Sequence, residues 1–106
     1  MRIAMREIRT PAEVSGLASQ VAAIVRGAVG PETRVLWYGS WVRGTAVPRS
    51  DVDLAIVAER RVPAATMVRI RERVEDLPTL RKIDLVDVHA VGEAMRSRIM
   101  AEGVAL

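Results

Sequence analysis

Several things are missing from this 106-residue chain, and each absence excludes something. It has no cysteine, so disulfides and cysteine-ligated metal centres are out, and the reducing cytoplasm is the expected compartment. It has one histidine, His89, which leaves little room for imidazole chemistry. It has two tryptophans, one tyrosine and no phenylalanine, so its core must be built from Val, Ile, Leu, Ala and Met. No apolar run approaches the ~20 residues a membrane-spanning helix needs. The opening stretch MRIAMREIRT alternates charge with apolar residues and lacks the apolar centre of a signal peptide. Internal repeats, low-complexity tracts and linkers are also lacking.

What is present fits one small domain spanning residues 1–106. A chain of this length buries roughly 60–65% of the surface its unfolded form exposes, enough for one core and not two. The formal net charge of +3 comes almost entirely from arginine. The arginines are scattered and are not interleaved with aromatics that could stack bases, which argues against direct nucleic-acid binding. They read as a solvated surface, or as contacts for an anionic partner such as nucleotide phosphates.

The pattern predicts the element order α-β-(short α)-β-α-β-α, hence a layered α/β domain with a small mixed sheet of about three strands flanked by helices. Thr10-Pro11-Ala12-Glu13 reads as a capping box opening a helix, and Val14, Leu17, Val21, Ile24 and Ala28 continue it until Gly30-Pro31. Arg34–Tyr38 is β-prone, 40–45 resembles a short helical turn, and Val52–Ala58 is a strand apolar enough to be covered on both faces. A second helix is expected over Pro63–Leu77, with Met67, Ile70, Val74 and Leu77 on its core side. A third strand is expected over Ile83–Val88, and a closing helix over Val91–Glu102 carries Met95, Ile99 and Met100.

Chemistry concentrates in 37-WYGSWVRGTAVPRSDVDLAIV-57. Side chains alternate along a strand, so Asp51 and Asp53 point the same way, roughly 7 Å apart. Ser40 follows the first strand, so it can neighbour Asp51 only if the first two strands run antiparallel. A helix joins the second and third strands, which favours a parallel pair and carries Asp84 to the same corner. Asp87, three residues further on, faces the other side and is left out. Three carboxylates in one corner repel unless neutralised, and all-oxygen hard ligands suit Mg²⁺ or Mn²⁺. Two such ions are the usual apparatus of in-line phosphoryl or nucleotidyl transfer. Gly39 permits close backbone approach, Ser40 opens a helical turn that can hold phosphates, and Arg43 lies one turn along the same helix.

Taken singly, each signal has a plainer reading. Asp-x-Asp at a strand start is commonly a solvated end, Gly-Ser a turn, and a lone aspartate a buried group with a backbone partner. His89 reads as a surface or turn residue. Trp37 reads as core, and Trp41 as packing rather than a base contact. The combination carries the weight, because two chain-order constraints bring Ser40, Asp51, Asp53 and Asp84 together.

Gly39-Ser40, then Arg43-Gly44, then Ser50-Asp51-Val52-Asp53-Leu54, with Asp84 in Lys82-Ile83-Asp84-Leu85-Val86, resembles the minimal nucleotidyltransferases of the DNA polymerase beta-like superfamily. The resemblance covers nearly the whole chain, including its Arg98-Ile99-Met100-Ala101-Glu102-Gly103 end. It implies that Asp51 and Asp53 bind Mg²⁺, that Asp84 completes a catalytic and metal-binding triad, and that Gly39, Ser40, Arg43 and Ser50 serve the nucleotide. It also implies transfer of a nucleoside monophosphate, often AMP from ATP, to a hydroxyl acceptor. Many such proteins act with an all-helical HEPN protein (higher eukaryotes and prokaryotes nucleotide-binding), as antitoxins that modify and silence a HEPN ribonuclease toxin.

Larger relatives carry an acceptor-binding domain, so here a partner or a second copy is expected to supply that wall. A small-molecule acceptor of the aminoglycoside kind is the less favoured enzyme reading. From a different class, the chain could be a non-catalytic module that masks a HEPN partner, though a pure binder has no reason to keep three clustered carboxylates.

Overall fold

The computed structural model describes residues 10–106; the MRIAMREIR stretch lies outside the described residues. Helix α1 (Ala12–Val29) leads into strand β1 (Arg34–Tyr38) and the single turn α2 (Ser40–Arg43). Strand β2 (Val52–Val57), helix α3 (Ala64–Glu75) and strand β3 (Ile83–Asp87) follow. Helix α4 (Glu93–Glu102) and a two-residue strand, β4 (Val104–Ala105), close the chain.

The expected mixed sheet is present, with four strands in the order β3-β2-β1-β4. β1 and β2 are antiparallel, with Tyr38 opposite Asp53. β2 and β3 are parallel, with Asp53 beside Asp84. The fourth strand, absent from the sequence reading, pairs antiparallel with β1 at Leu36 and Trp37.

Alternation along the strands divides the apolar residues between two layers. Val35, Trp37, Val52, Leu54, Ile56 and Leu85 meet α1 and α3 on one face. Leu36, Tyr38, Ala55 and Val88 meet Ile99 of α4 on the other. Burying each large aliphatic side chain stabilises the fold by about 1.5–3 kcal/mol, and Leu54, Ile56, Ile70 and Ile99 are fully enclosed. The α1 face holds the larger cluster. The α4 face is covered by one short helix, so the polar ends of its strands stay open to solvent.

Three expectations about the helices need correction. The cap residue of α1 is Pro11, one position after the expected Thr10, and Ala12 rather than Pro11 opens the helix. The Pro11 carbonyl accepts the Val14 and Ser15 amides, and Glu13 pairs with Arg81 at 3.7 Å. The buried stripe of α1 is Val14, Leu17, Ala18, Val21, Ala22 and Val25. That run follows the 3.6-residue repeat more faithfully than the predicted one, and it leaves Ile24 half-buried and Ala28 exposed. On α4, Met100 points outward and only Ile99 is buried.

Candidate functional site

The site is assembled where β1 ends and β2 and β3 begin. β1 stops at Gly39, whose backbone (φ +88°) lies in the left-handed region that favours glycine. A second constraint acts on the same residue, because a Cβ there would overlap the Asp53 carboxylate. The chain then turns through α2 and leaves it at Gly44, also left-handed at φ +79°.

Tyr38, Asp53 and Asp84 share one sheet face, as cross-strand and neighbouring-strand partners. Adjacent strands lie about 4.8 Å apart, which sets the spacing of the Asp53 and Asp84 backbones. Asp51, just ahead of β2, lies with its carboxylate 3.9 Å from Lys82 Nζ. Burial first, then the charges of Asp84 and Asp51, push the Asp53 carboxyl up from 3.8 to about 6, and Arg43 and Arg98 offset this only in part. Burial, then Asp84 and Asp53, likewise push the Tyr38 hydroxyl up to about 12. That hydroxyl is enclosed and has no hydrogen-bond partner among the described residues.

Asp87 is excluded, as its register implies. It is buried on the α1/α3 side, where Oδ2 accepts the Val62 amide (2.7 Å) and Oδ1 the His89 amide (2.9 Å). His89 sits in the turn after β3 with Nε2 2.7 Å from the Ala58 carbonyl. Trp37 and Trp41 are both packed into the α1-side core.

Around the Gly39-Ser40 turn the arrangement is more occupied than the sequence suggests. Arg43 Nη1 pairs with Glu102 at 3.1 Å, and Glu102 Oε2 also accepts the Gly39 amide at 2.8 Å. Ser50 closes its own loop. Its hydroxyl accepts the Val47 amide (2.8 Å), and its carbonyl accepts Trp41 Nε1 (3.3 Å). Arg81 locks that loop: its Nη1 donates to the Pro48 carbonyl at 2.6 Å, and its guanidinium lies 5.6 Å from the centre of the Trp41 ring. Sequence reasoning missed Glu102, Arg98, Tyr38 and Arg81. The Arg98 and Glu102 spacing of four residues on one helix face was the available signal.

The donor set suits a hard divalent cation: three carboxylates, one of them held partly neutral at mild pH by burial and then by its acidic neighbours. As the side chains stand, no group of three or more His, Cys, Asp or Glu among the described residues is gathered tightly enough to enclose an ion. Asp51 lies toward Lys82 instead. A recess of about 980 Å³ lies at the opposite end of the sheet, lined by Gly30, Arg34, Ala58, Arg61 and Val62 among others. It is remote from the carboxylates. No described helix is long and apolar enough to cross a membrane.

An antiparallel-then-parallel strand trio bearing a Gly-Ser turn and three corner carboxylates is the arrangement that the resemblance to nucleotidyltransferases implies. Residues 31–106 match the family described as Polymerase beta, Nucleotidyltransferase, and the chain belongs to that family. No curated protein sequence matches it closely enough to count as a relative.

Solved structures share the fold. A toxin–antitoxin crystal structure with AMP-PNP superimposes with a TM-score of 0.66 at 18% identity, covering 83% of this chain and 70% of that one. A structure described as a minimal nucleotidyltransferase gives 0.64 at 22% identity, covering 88% and 95%. A tri-AMPylated Shewanella oneidensis HEPN toxin in complex with its MNT antitoxin gives 0.63 at 14% identity, covering 87% and 70%.

Proposed function

We propose that this chain is a Mg²⁺-dependent nucleotidyltransferase that moves AMP from ATP onto a hydroxyl of a HEPN-type helical partner, and so acts as its antitoxin. The observation that carries the catalytic part is the register of Asp53 against Asp84, with Asp51 two residues ahead and Gly39 packed against Asp53. The partner is inferred from the fold shared with toxin–antitoxin complexes.

In this reading Asp51, Asp53 and Asp84 hold the divalent ions. When bound, Mg²⁺ or Mn²⁺ neutralises the triphosphate and stabilises the departing pyrophosphate. Ser40 and Arg43 hold the terminal phosphates, and Gly39 lets them approach the backbone closely. The acceptor oxygen attacks the α-phosphorus, and a new P–O bond forms. The bond from that phosphorus to the bridging oxygen breaks, and pyrophosphate leaves. Asp84, the exposed carboxylate of the three, receives the hydroxyl proton.

The test is incubation of the purified chain with ATP, Mg²⁺ and the protein encoded beside it, followed by mass measurement of that protein. Addition of one or more AMP units by wild type, and none by Asp53→Asn, supports the reading. An unmodified partner that both proteins neutralise equally overturns it in favour of simple masking.

A further inference from the structure

The strand ladder beside β1 ends early, and a side chain completes it. β4 pairs only with Leu36 and Trp37, yet β1 runs on to Tyr38 and then Gly39. There, Glu102 Oε2 accepts the Gly39 amide at 2.8 Å, in the place where a strand carbonyl would otherwise stand. The same carboxylate takes Arg43 Nη1 at 3.1 and 3.5 Å. Glu102 is the last residue of α4, with 20% of its side chain exposed against 46% for Arg43. One carboxylate therefore grips both the glycine turn and a cation beside it.

These two contacts act in opposite directions on an incoming anion. The hydrogen bond to the Gly39 amide limits the wide conformational freedom of a glycine, and so holds the turn in shape. The ion pair occupies Arg43 and places a negative charge next to the phosphate position. A triphosphate presents more charge than a carboxylate and suits the guanidinium fork, so it can take Arg43 over, but only against Glu102.

We propose that Glu102 sets nucleotide affinity through these opposed actions: it positions the Gly39 turn, and it keeps Arg43 engaged until nucleotide phosphates displace its carboxylate from the guanidinium. The proposal rests on the reading above in which Gly39-Ser40 and Arg43 receive the phosphates. Glu102 is a positioning residue here and touches no reacting atom.

The experiment is calorimetric titration of the full chain with ATP and Mg²⁺, comparing wild type, Glu102→Gln, Glu102→Ala, Arg43→Ala and the double variant Arg43→Ala/Glu102→Gln. Glutamine keeps an oxygen for the Gly39 amide and removes the charge, so its Kd falls about threefold to tenfold, the range an exposed ion pair and its repulsion of phosphate can span. Alanine removes both contacts and binds more weakly than glutamine. In the Arg43→Ala background the gain from glutamine shrinks to the part that relief of charge repulsion alone supplies, because the guanidinium it releases is gone.

An unchanged or raised Kd for Glu102→Gln overturns the proposal, as does a gain that persists in full without Arg43. If Glu102→Ala fails to fold, the glutamine comparison with and without Arg43 decides alone. Wild type that binds no ATP overturns the nucleotide reading together with this one. Wild type that binds with glutamine unchanged overturns only this one.

Discussion

Asp53 of β2 and Asp84 of β3 stand beside each other as register partners in a parallel strand pair, and Arg43 and Arg98 offset their repulsion only in part. The fold holds two like charges together that it does not neutralise. Such an arrangement weakens the empty protein and favours a bound cation.

The first consequence is a stability that depends on pH in the metal-free protein. The folded Asp53 carboxyl titrates near 6 against 3.8 for the free side chain, so the folded state holds the proton more tightly than the unfolded chain. This contribution is fully present below about pH 4 and is lost as pH rises through about 6. Asp53→Asn carries no charge, so it should melt close to wild type under acid conditions and above it at neutral pH. After discounting for solvent screening the difference is about 1 kcal/mol, or about 4–8 °C in Tm. Added Mn²⁺ should raise the melting temperature of wild type and leave that of Asp53→Asn little changed. Thermal melts across pH, with and without Mn²⁺, check both.

Gly39 is subject to two demands, a left-handed backbone and the nearness of the Asp53 carboxylate. Gly39→Ala should destabilise the fold by about 1–3 kcal/mol, from backbone strain and the displacement of Asp53. The displacement should also lower AMP transfer by at least about tenfold, since misplacement of roughly 1 Å at a reacting centre can cost about a hundredfold. Urea unfolding and single-turnover transfer measure the two effects separately.

Asp87 is the control among the aspartates. It is buried, and it satisfies the Val62 and His89 amides on the face away from Asp53. Asp87→Ala leaves two enclosed donors unmet and should cost about 2–4 kcal/mol, seen as a lower urea midpoint. Transfer by the fraction that remains folded should stay within about twofold of wild type, because Asp87 lies outside the cluster.

Arg81 ties the entrance of β2 to the entrance of β3 by holding the Pro48 carbonyl, covering Trp41 and pairing with Glu13. Arg81→Met should loosen the 44–50 loop and let Asp51 drift from Asp84. The apparent Mg²⁺ requirement for transfer should then rise about threefold, less than the roughly 10–100-fold cost of losing a group bonded to a metal ligand, because Arg81 acts only through the loop. A Mg²⁺ titration of the transfer rate checks this.

Much of this site was legible in the sequence because it depends on two robust regularities. Strand alternation put Asp53 and Asp51 on one side, and the helix joining β2 to β3 implied a parallel pair that delivers Asp84 and turns Asp87 away. What escaped was set by partners distant in the chain. Glu102 meets Gly39 across 63 positions, and Arg81 meets Pro48 across 33; no local pattern encodes either. β4 escaped because two exposed residues, Val104 and Ala105, show no periodicity. The start of α1 lies one residue later than expected because Pro11, already fixed in φ, takes the cap position, and Glu13 pairs with Arg81. Ser50 sits beside Asp51 in sequence, yet its hydroxyl turns back to Val47 and closes the loop.

The central claim is that the Asp51, Asp53 and Asp84 corner transfers a nucleotide, and the position of the transferred label tests it most directly. The purified chain, Mg²⁺ and the protein encoded beside it are incubated in parallel with ATP labelled at the α-phosphate and at the γ-phosphate. The account expects α-label on the partner, γ-label only in released pyrophosphate, and neither on the partner with Asp53→Asn. Gamma-label on the partner, or α-label that survives Asp53→Asn, would contradict it.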